Sequence, residues 1–271
     1  MTKKYLLIAL AIWIAAACTQ QKTKATADGN DIKTDSVGCV INKQGIKVAI
    51  STDYPVEGEA LQQAVAGFII AQMDLEDSLK AYPPDNGQEL VRQLVEAKYK
   101  DLKGLVSQNE DTPVRQDDAE PSTTFSADFK CVYETDDYLS LQGHWDSFVE
   151  GTPHPNDGIC GITLRKSYGK SLGLSDILKN TDGEAFRQQL KAGIRKWLSE
   201  ITETSVTTDE DMKKLLGDEI DPDNMPLPES APFLIKEGIA LPYGSYELIP
   251  NEPALIVIPF SADYCAIETL K

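Results

Sequence analysis

The fold is decided by residues 125–166, which read FSADFKCVYETDDYLSLQGHWDSFVEGTPHPNDGICGITLRK. Aromatic and β-branched residues recur in three runs, at 125–134, 138–149 and 159–166, and turn-forming residues separate these runs. Runs of this kind, bounded by Asp, Gly and Pro, are typical of strands joined by short turns. The stretch therefore predicts an antiparallel meander of three strands.

Helices and strands are segregated on either side of this meander. A strand-like run at 40–50 comes first, and two apolar stripes at helical spacing follow it. The stripes consist of Leu61, Val65, Phe68, Ile69 and Met73, and of Leu90, Val91, Leu94, Val95, Tyr99, Leu102 and Val106. After the meander, helices are predicted at 174–178, from 182 onward and at 209–216, and strands at 233–237, 239–241 and 255–260. This arrangement indicates an α+β fold with helices packed on one side of antiparallel sheets, in two consecutive modules at 39–166 and 167–271.

The amino-terminal residues predict a bacterial lipoprotein. Two lysines precede an uncharged apolar run at 6–17, which ends in three alanines directly before Cys18. The run is too short to span a bilayer, which takes about 20 residues, but it fits the apolar core of a secretory signal. We expect residues 1–17 to be a signal peptide, Cys18 to be lipidated, and residues 18–38 to form a polar, flexible tether. A signal peptide followed by an incidental cysteine is the alternative.

The chain is strongly acidic. Its 26 Lys and Arg stand against 43 Asp and Glu, a net charge of −17, and loss of the two lysines of the signal would leave −19. A body of this charge repels nucleic acid and can attract a cationic partner over long range. We therefore expect no nucleic-acid partner. The positions directly after Cys18 are polar and not acidic, which favours a periplasm-facing attachment.

Four further cysteines could pair in an exported protein. They are Cys39, Cys131, Cys160 and Cys265. An even number of cysteines in an oxidising compartment predicts two disulfides, and the sequence leaves three connectivities open. Buried thiols are the alternative. The long, irregular spacings and the presence of only two histidines argue against a zinc site, so we expect no metal.

Three motif matches fail when their full requirements are applied. GKSLG at 169–173 matches the G-x-S-x-G pattern, but both histidines precede Ser171, against the Ser–acid–His order of α/β-hydrolases. Leu164 stands where a P-loop needs its first glycine. A loop starting at Asp221 has proline at both the glycine and the glutamate positions of an EF-hand. We expect no catalytic residue, and we interpret 169–173 as a Gly-rich turn before a short helix.

His154 is the histidine that we single out for a binding role. It lies in the segment GTPHPNDG at 151–158, between two predicted strands. It is either a turn histidine that bonds to the backbone or, together with Asn156, part of a ligand-binding surface.

From residue 138 to its end, the chain resembles the RsiV C-terminal domain family of extracytoplasmic bacterial proteins. Five segments in the family's order carry the resemblance: YLSL (138–141), HPN (154–156), GKSLGLSDIL (169–178), YELIP (246–250) and IPF (258–260). Residues 39–132 are similar to the domain usually found before it, which some peptidoglycan deacetylases share as a non-catalytic module. Together the two likenesses cover nearly all of the region that we expect to fold.

The resemblance implies binding rather than catalysis. The best-understood relatives are anti-sigma factors whose outer domain senses lysozyme, and they carry a cytoplasmic sigma-binding segment and a transmembrane helix. Because we expect a lipid anchor in place of that helix, we expect no direct contact with a sigma factor. The chain departs from the family pattern at 151–153, which reads GTP, and at 251–253, which reads NEP.

We therefore predict a membrane-anchored binding module that has no catalytic activity and no cofactor. Its ligand would be a cationic protein, such as lysozyme, or a cell-wall component. An envelope hydrolase and a purely structural envelope lipoprotein are the alternatives. A hydrolase would require a cleft that brings His144 or His154 to a carboxylate and a nucleophile.

Overall fold

The computed structural model describes residues 34–75, 86–108, 120–217 and 220–270. These residues form a six-stranded sheet, a three-stranded sheet and five α-helices, which confirms the predicted α+β class. The predicted signal peptide, the predicted lipidation site Cys18 and the predicted tether up to residue 33 lie outside the described residues. Residues 34–38, predicted as the end of that tether, instead belong to the first strand, Thr34–Lys43, because they pair with the next strand of the sheet. Within them, no helix is both long and apolar enough to cross a membrane.

The larger sheet has its strands in chain order. They are β1 (Thr34–Lys43), β2 (Ile46–Pro55), β3 (Thr123–Glu134), β4 (Tyr138–Phe148), β5 (Asn156–Arg165) and β6 (Lys170–Ser171). The strands β3, β4 and β5 pair antiparallel, so the predicted meander is confirmed. The pair β2–β3 is parallel, and every other neighbouring pair in the sheet is antiparallel.

The amino-terminal part of this sheet differs from the prediction. In place of one strand at 40–50, the chain forms a hairpin of β1 and β2 that turns at Gln44 and Gly45. Both turn residues have positive φ, 55° and 76°, as a type I′ turn requires. Glutamine is not among the residues that usually mark the first position of such a turn, so Gly45 alone indicated it.

The connection between β2 and β3 places two helices on one face of the sheet. These are α1 (Glu59–Gln72) and α2 (Gly87–Gln108). Alternate residues of the central strands, such as Val48 and Ile50 on β2 and Phe125 and Phe129 on β3, point to this face and are buried. The helices contribute the matching apolar side chains Leu61, Val65, Ile69, Leu90, Val91, Leu94 and Val95 to the same core.

A second core lies in the carboxy-terminal part of the chain. Its helices are α3 (Leu174–Ile177), α4 (Glu184–Ile201) and α5 (Asp209–Leu216), and its strands are β7 (Phe233–Ile235), β8 (Gly238–Tyr243) and β9 (Ala254–Ile258). A single turn of 3-10 helix at Glu268–Leu270 follows. Helix α4 packs on β9, and its buried stripe is Phe186, Leu190, Ile194, Trp197 and Leu198. From the sequence, we expect Ile201 to continue the stripe of Phe186, Leu190, Ile194 and Trp197, but Ile201 is exposed and Leu198 takes the buried place.

The two sheets meet where β7 crosses β5. The backbone N–H of Leu234 donates to Thr163 Oγ1 at 2.9 Å, and the Thr163 and Ser140 hydroxyls share a hydrogen bond of 2.8 Å in a buried position. Beside them, Gly161 lies directly against the ring of Phe233. The two sheets are therefore in close contact, and the polar groups named at this contact are hydrogen-bonded to one another. The predicted boundary between modules at 39–166 and 167–271 stays a prediction.

The close approach at Gly161 predicts a large effect of a small substitution. A Cβ added there would overlap the Phe233 ring, so Gly161→Ala should destabilise the fold by about 1–3 kcal/mol through overpacking. Gly67→Ala is the control, because that exposed position in α1 has no neighbour within 4 Å. It should stabilise by about 0.5–1 kcal/mol, as alanine is the better helix former. Urea unfolding measures both, and equal midpoints for the two variants would contradict the packing described.

The predicted disulfides are absent from the structure. No disulfide joins Cys39, Cys131, Cys160 and Cys265. Their positions give the reason. The Cys160 thiol lies 3.7 Å from the Gly143 carbonyl oxygen in the first core, and the Cys265 thiol lies 3.6 Å from the Ile267 carbonyl oxygen in the second core. The arrangement observed is the alternative of thiols, which are buried at Cys39, Cys160 and Cys265 and partly buried at Cys131.

Burial also makes two of these thiols poor nucleophiles. Desolvation raises the pKa of Cys160 to about 12, and desolvation together with the charges of Glu134 and Asp53 raises the pKa of Cys131 to about 12. Because the thiolate is the reactive form, we expect iodoacetamide to modify both at pH 8 about 100-fold or more slowly than in the unfolded chain. Peptide mass spectrometry after native and denatured labelling, without reductant, measures this. Cysteines that resist labelling even when unfolded would indicate disulfides instead.

Helix α5 begins with a capping box that predicts a pH dependence. Asp211 accepts hydrogen bonds from the Thr208 hydroxyl at 2.7 Å and the Thr208 backbone N–H at 3.0 Å. These bonds, led by the hydroxyl, hold the pKa of Asp211 below its ordinary value of 3.8. A lowered folded pKa gives stability that is present above about pH 4 and is lost as pH falls through the lowered pKa.

Asp211→Asn should therefore flatten the acid side of the stability profile. Between about pH 4 and pH 2, the free energy of unfolding should fall less steeply in this variant than in the wild type. Glu210→Gln, one residue earlier in the same helix, serves as the control and should keep the wild-type slope. Denaturant unfolding at stepped pH values measures the slopes, and identical slopes for all three proteins would contradict the role given to Asp211.

Candidate ligand-binding face

The face of the six-stranded sheet opposite α1 and α2 is polar over β1 to β4. We call it the open face. Its residues are Ser36, Gly38 and Val40 on β1, Ala49, Ser51 and Asp53 on β2, Ser126, Asp128 and Lys130 on β3, and Gln142, His144 and Asp146 on β4. A groove of about 480 Å³ lies across β1, β2 and β3 on this face. The floor of the groove consists of small residues, so the backbone lies close to its surface.

Three carboxylates on the open face are each held by a serine on the neighbouring strand. Ser36 Oγ donates to Asp53 Oδ1 at 2.5 Å, and Ser51 Oγ donates to Asp128 Oδ1 at 2.5 Å. Ser126 donates in the same way to Asp146. The three bonds run in sequence from β1 to β4, one across each strand boundary.

The sheet register produces this ladder of Ser–Asp pairs. In the register Ser36 is opposite Asp53, Ser51 is opposite Asp128, and Ser126 is opposite Asp146, so each pair shares one face. On β3, the polar residues at 126, 128 and 130 alternate with buried residues at 125, 127 and 129. This period of two shows which residues share a face, but it does not show which strands are neighbours. Sequence reasoning therefore missed the pairs.

The electrostatic character of the open face is mixed but predominantly negative. Asp157 on β5 lies opposite Asp146, which adds a fourth carboxylate to Asp53, Asp128 and Asp146. Lys130 lies 3.1 Å from Asp128, and both side chains are about half exposed, at 51% and 44%. The carboxylates are partly buried, and the hydroxyls that hold them are neutral, so the hydroxyls do not offset the attraction for a positively charged ligand. The face is thus suited to bind cationic groups.

His144 lies on the open face, but its position does not complete a catalytic triad. It is exposed on β4 opposite Asp128, whose carboxylate is bonded to Ser51 on β2. Across the sheet, the Ser51 hydroxyl on β2, the Asp128 carboxylate on β3 and the His144 imidazole on β4 follow one another in this order. Ser51 and His144 are two strand spacings apart, about 10 Å, whereas a general base must contact the hydroxyl it deprotonates. This arrangement does not meet the geometric requirement of a Ser–His–Asp triad.

The two residues predicted for a ligand surface lie beyond the groove. His154 is exposed in the turn between β4 and β5, and its Nδ1 lies 3.1 Å from the Pro155 carbonyl oxygen. Asn156 is exposed at the start of β5, next to Asp157. Neither residue lines the groove, so the structure does not bring them together with the Ser–Asp pairs.

The remaining motifs are structural. Ser171 lies exposed on β6, and Gly173 caps α3, with its N–H donating to Asp176 Oδ2 at 2.9 Å. This is the predicted Gly-rich turn before a short helix. In the loop predicted to fail as a calcium site, Asp221 accepts from the backbone N–H of Asp223. Within the part of the chain that the structure describes, no three His, Cys, Asp or Glu residues are grouped as a metal site would require.

Fold and site together define an α+β domain with one helix-covered and one polar, grooved sheet face. Two solved structures are similar to it. A DUF3298 family protein from Pseudomonas aeruginosa PAO1 matches with a TM-score of 0.51 and 17% identity, over 88% of this chain and 95% of its own. A member of the DUF3298 family from Bacteroides fragilis NCTC 9343 matches with a TM-score of 0.60 and 18% identity, over 86% of this chain and 92% of its own.

At these identities the likeness is one of fold. No family model matches the sequence, and no curated protein matches it either. The chain therefore shares its fold with DUF3298 family structures, whose domain is of unknown function.

Proposed function

We propose that this protein is a membrane-tethered extracytoplasmic lipoprotein whose folded part binds a cationic protein on the open face, without catalysis. The observation that carries the proposal is the ladder of Ser–Asp pairs beside the groove. The hydroxyls fix the carboxylates before a ligand arrives, so less conformational freedom is lost on binding.

The charge of the whole chain supports the same class of ligand. A net charge of −17 produces a field that speeds the encounter with a positively charged partner. Lysozyme is a partner of this kind, and the motif resemblance to the RsiV C-terminal domain family points to it independently. The lipid on Cys18 and the residues between it and β1 would keep the open face near the membrane surface, where such a protein attacks the cell wall.

A titration with lysozyme tests the proposal. The protein is the expected mature chain, residues 18–271, with Cys18→Ser to prevent acylation. We expect a complex at micromolar concentration that weakens as salt rises from 20 to 150 mM, because salt screens exposed charges. The triple variant Asp53→Asn, Asp128→Asn, Asp146→Asn keeps the acceptor oxygens for the serines but removes three charges. It should bind about tenfold or more weakly.

The control removes the same charge elsewhere. Glu57, Glu203 and Glu237 are exposed acidic residues outside the open face. Their triple substitution to Gln should reduce affinity about twofold at most, since only the general field changes. Calorimetry measures all three proteins. Equal losses in the two triple variants would reject the open face as the binding site, and no complex at micromolar concentration would reject lysozyme as the partner.

A further inference from the structure

We propose that β1 is a self-complementary edge strand that pairs antiparallel with β1 of a second copy of this chain. The pairing is centred on Cys39 and joins the two six-stranded sheets into one. It is independent of the ligand proposed above.

The strand β1 is the long, unprotected edge of the molecule. All ten of its residues pair with β2, and among the described residues no strand pairs with its other side. The other sheet edges are shorter or partly covered: β6 has two residues, β7 has three, and β9 is bracketed by Pro253 and Pro259. The strand β5 pairs with β6 at two residues, and along the rest of its edge the Leu172 N–H donates to the Thr163 carbonyl oxygen at 2.8 Å and Ser245 Oγ donates to the Asp157 carbonyl oxygen at 3.2 Å. Short edge strands and flanking prolines prevent edge-to-edge association. The strand β1 contains no proline.

The turn after β1 determines which of its backbone groups point outward. In the type I′ turn at 44–45, the carbonyl of Lys43 bonds to the N–H of Ile46, so the polar groups of Lys43 face β2. Backbone direction alternates along a strand. The odd-numbered residues of β1 therefore face β2, and the even-numbered residues, among them Gly38 and Val40, present their N–H and C=O to the outer side.

A two-fold axis at Cys39 pairs the outward-facing N–H and C=O groups of the two strands and also brings residues of opposite charge together. In this register Gly38 of one copy is opposite Val40 of the other, so outward-facing groups meet as hydrogen-bonded pairs. The same register places Asp35 of each copy opposite Lys43 of the other, which gives two cross-strand pairs of opposite charge. Nine residues of each strand are paired. A register moved by one residue in either copy breaks the charge pairs or the hydrogen-bonding pattern.

One side chain now occupies part of this edge. Gln88 at the start of α2 donates from Nε2 to the Gly38 carbonyl oxygen at 3.4 Å, a long hydrogen bond. Its own Oε1 is buried without a partner. A backbone N–H from a second β1 is the better donor for Gly38, because it lies in the plane of the sheet. The position of Gln88 is consistent with an edge whose carbonyl groups face outward.

The pairing would also extend the groove. Ser36, Gly38 and Val40 line it on the open face, so the two grooves would adjoin across the new strand pair. The result is one continuous face of twelve strands with two ladders of Ser–Asp pairs. Acidic copies repel each other at long range, so the dimer should form more readily in high salt, opposite to the complex with a cationic protein.

Proline substitution tests the strand pairing. Val40→Pro removes an N–H that points away from β2, so the fold should stay intact by circular dichroism and thermal unfolding. Sedimentation velocity of the mature chain with Cys18→Ser, from 10 to 500 µM in 0.5 M NaCl, should show a dimer that Val40→Pro abolishes and the control Val40→Thr retains. A wild-type chain that stays monomeric throughout, or a folded Val40→Pro variant that still dimerises, would overturn the proposal.

Charge reversal tests the register. Asp35→Lys alone and Lys43→Asp alone each create two like-charge pairs, and each should weaken the dimer about tenfold or more. An equimolar mixture of the two single variants restores both attractive pairs in a heterodimer, and so does the double variant in a homodimer. Mixing that restores no association, while the single variants are impaired, would exclude the register centred on Cys39.

Discussion

The parallel pairing of β2 with β3 determines where the helices of the first core lie. Parallel neighbours cannot be joined by a tight turn, so the chain must leave the sheet and return to it. That excursion contains both α1 and α2, and both helices pack on the same face. The apolar side chains of the strands point to the face that these helices cover. The opposite face is left with serines, aspartates and small residues, which is why the groove lies where it does.

The sequence predicts most of the helices and strands, but it does not predict which distant strands are neighbours in the sheet. Alternating apolar residues gave the meander, and helical spacing gave α1, α2 and α4, because these signals are local. The hairpin at Gln44 was missed because its turn lacks the usual residues. The prediction of disulfides was wrong because it rested on an oxidising compartment and an even number of cysteines, and not on the distances between them. The Ser–Asp pairs join residues up to 77 positions apart in the chain. Only the strand order brings them together, and periodicity does not encode strand order.

The carboxylates of the open face are less exposed to solvent than those of an ordinary charged surface and more exposed than those of a buried ion pair. A fully exposed carboxylate gains little from a partner, because water and salt screen it. A fully buried one costs much to desolvate. Here the carboxylates are half buried and already oriented by hydroxyls, so they can accept a cationic group without first being rearranged. Because a hydroxyl neutralises no charge, the orientation does not reduce the attraction.

The contact between Gly161 and Phe233 has a consequence for the evolution of the fold. A strand residue that touches the ring of a residue in another sheet cannot change in size by itself, since the space for any added atom is already filled. Position 161 can accept a side chain only where position 233 becomes smaller. We therefore expect the two positions to covary among distant proteins of this fold, with a glycine in the strand whenever an aromatic ring faces it. Such covariation would identify the contact between the two sheets in proteins whose overall sequence identity is low.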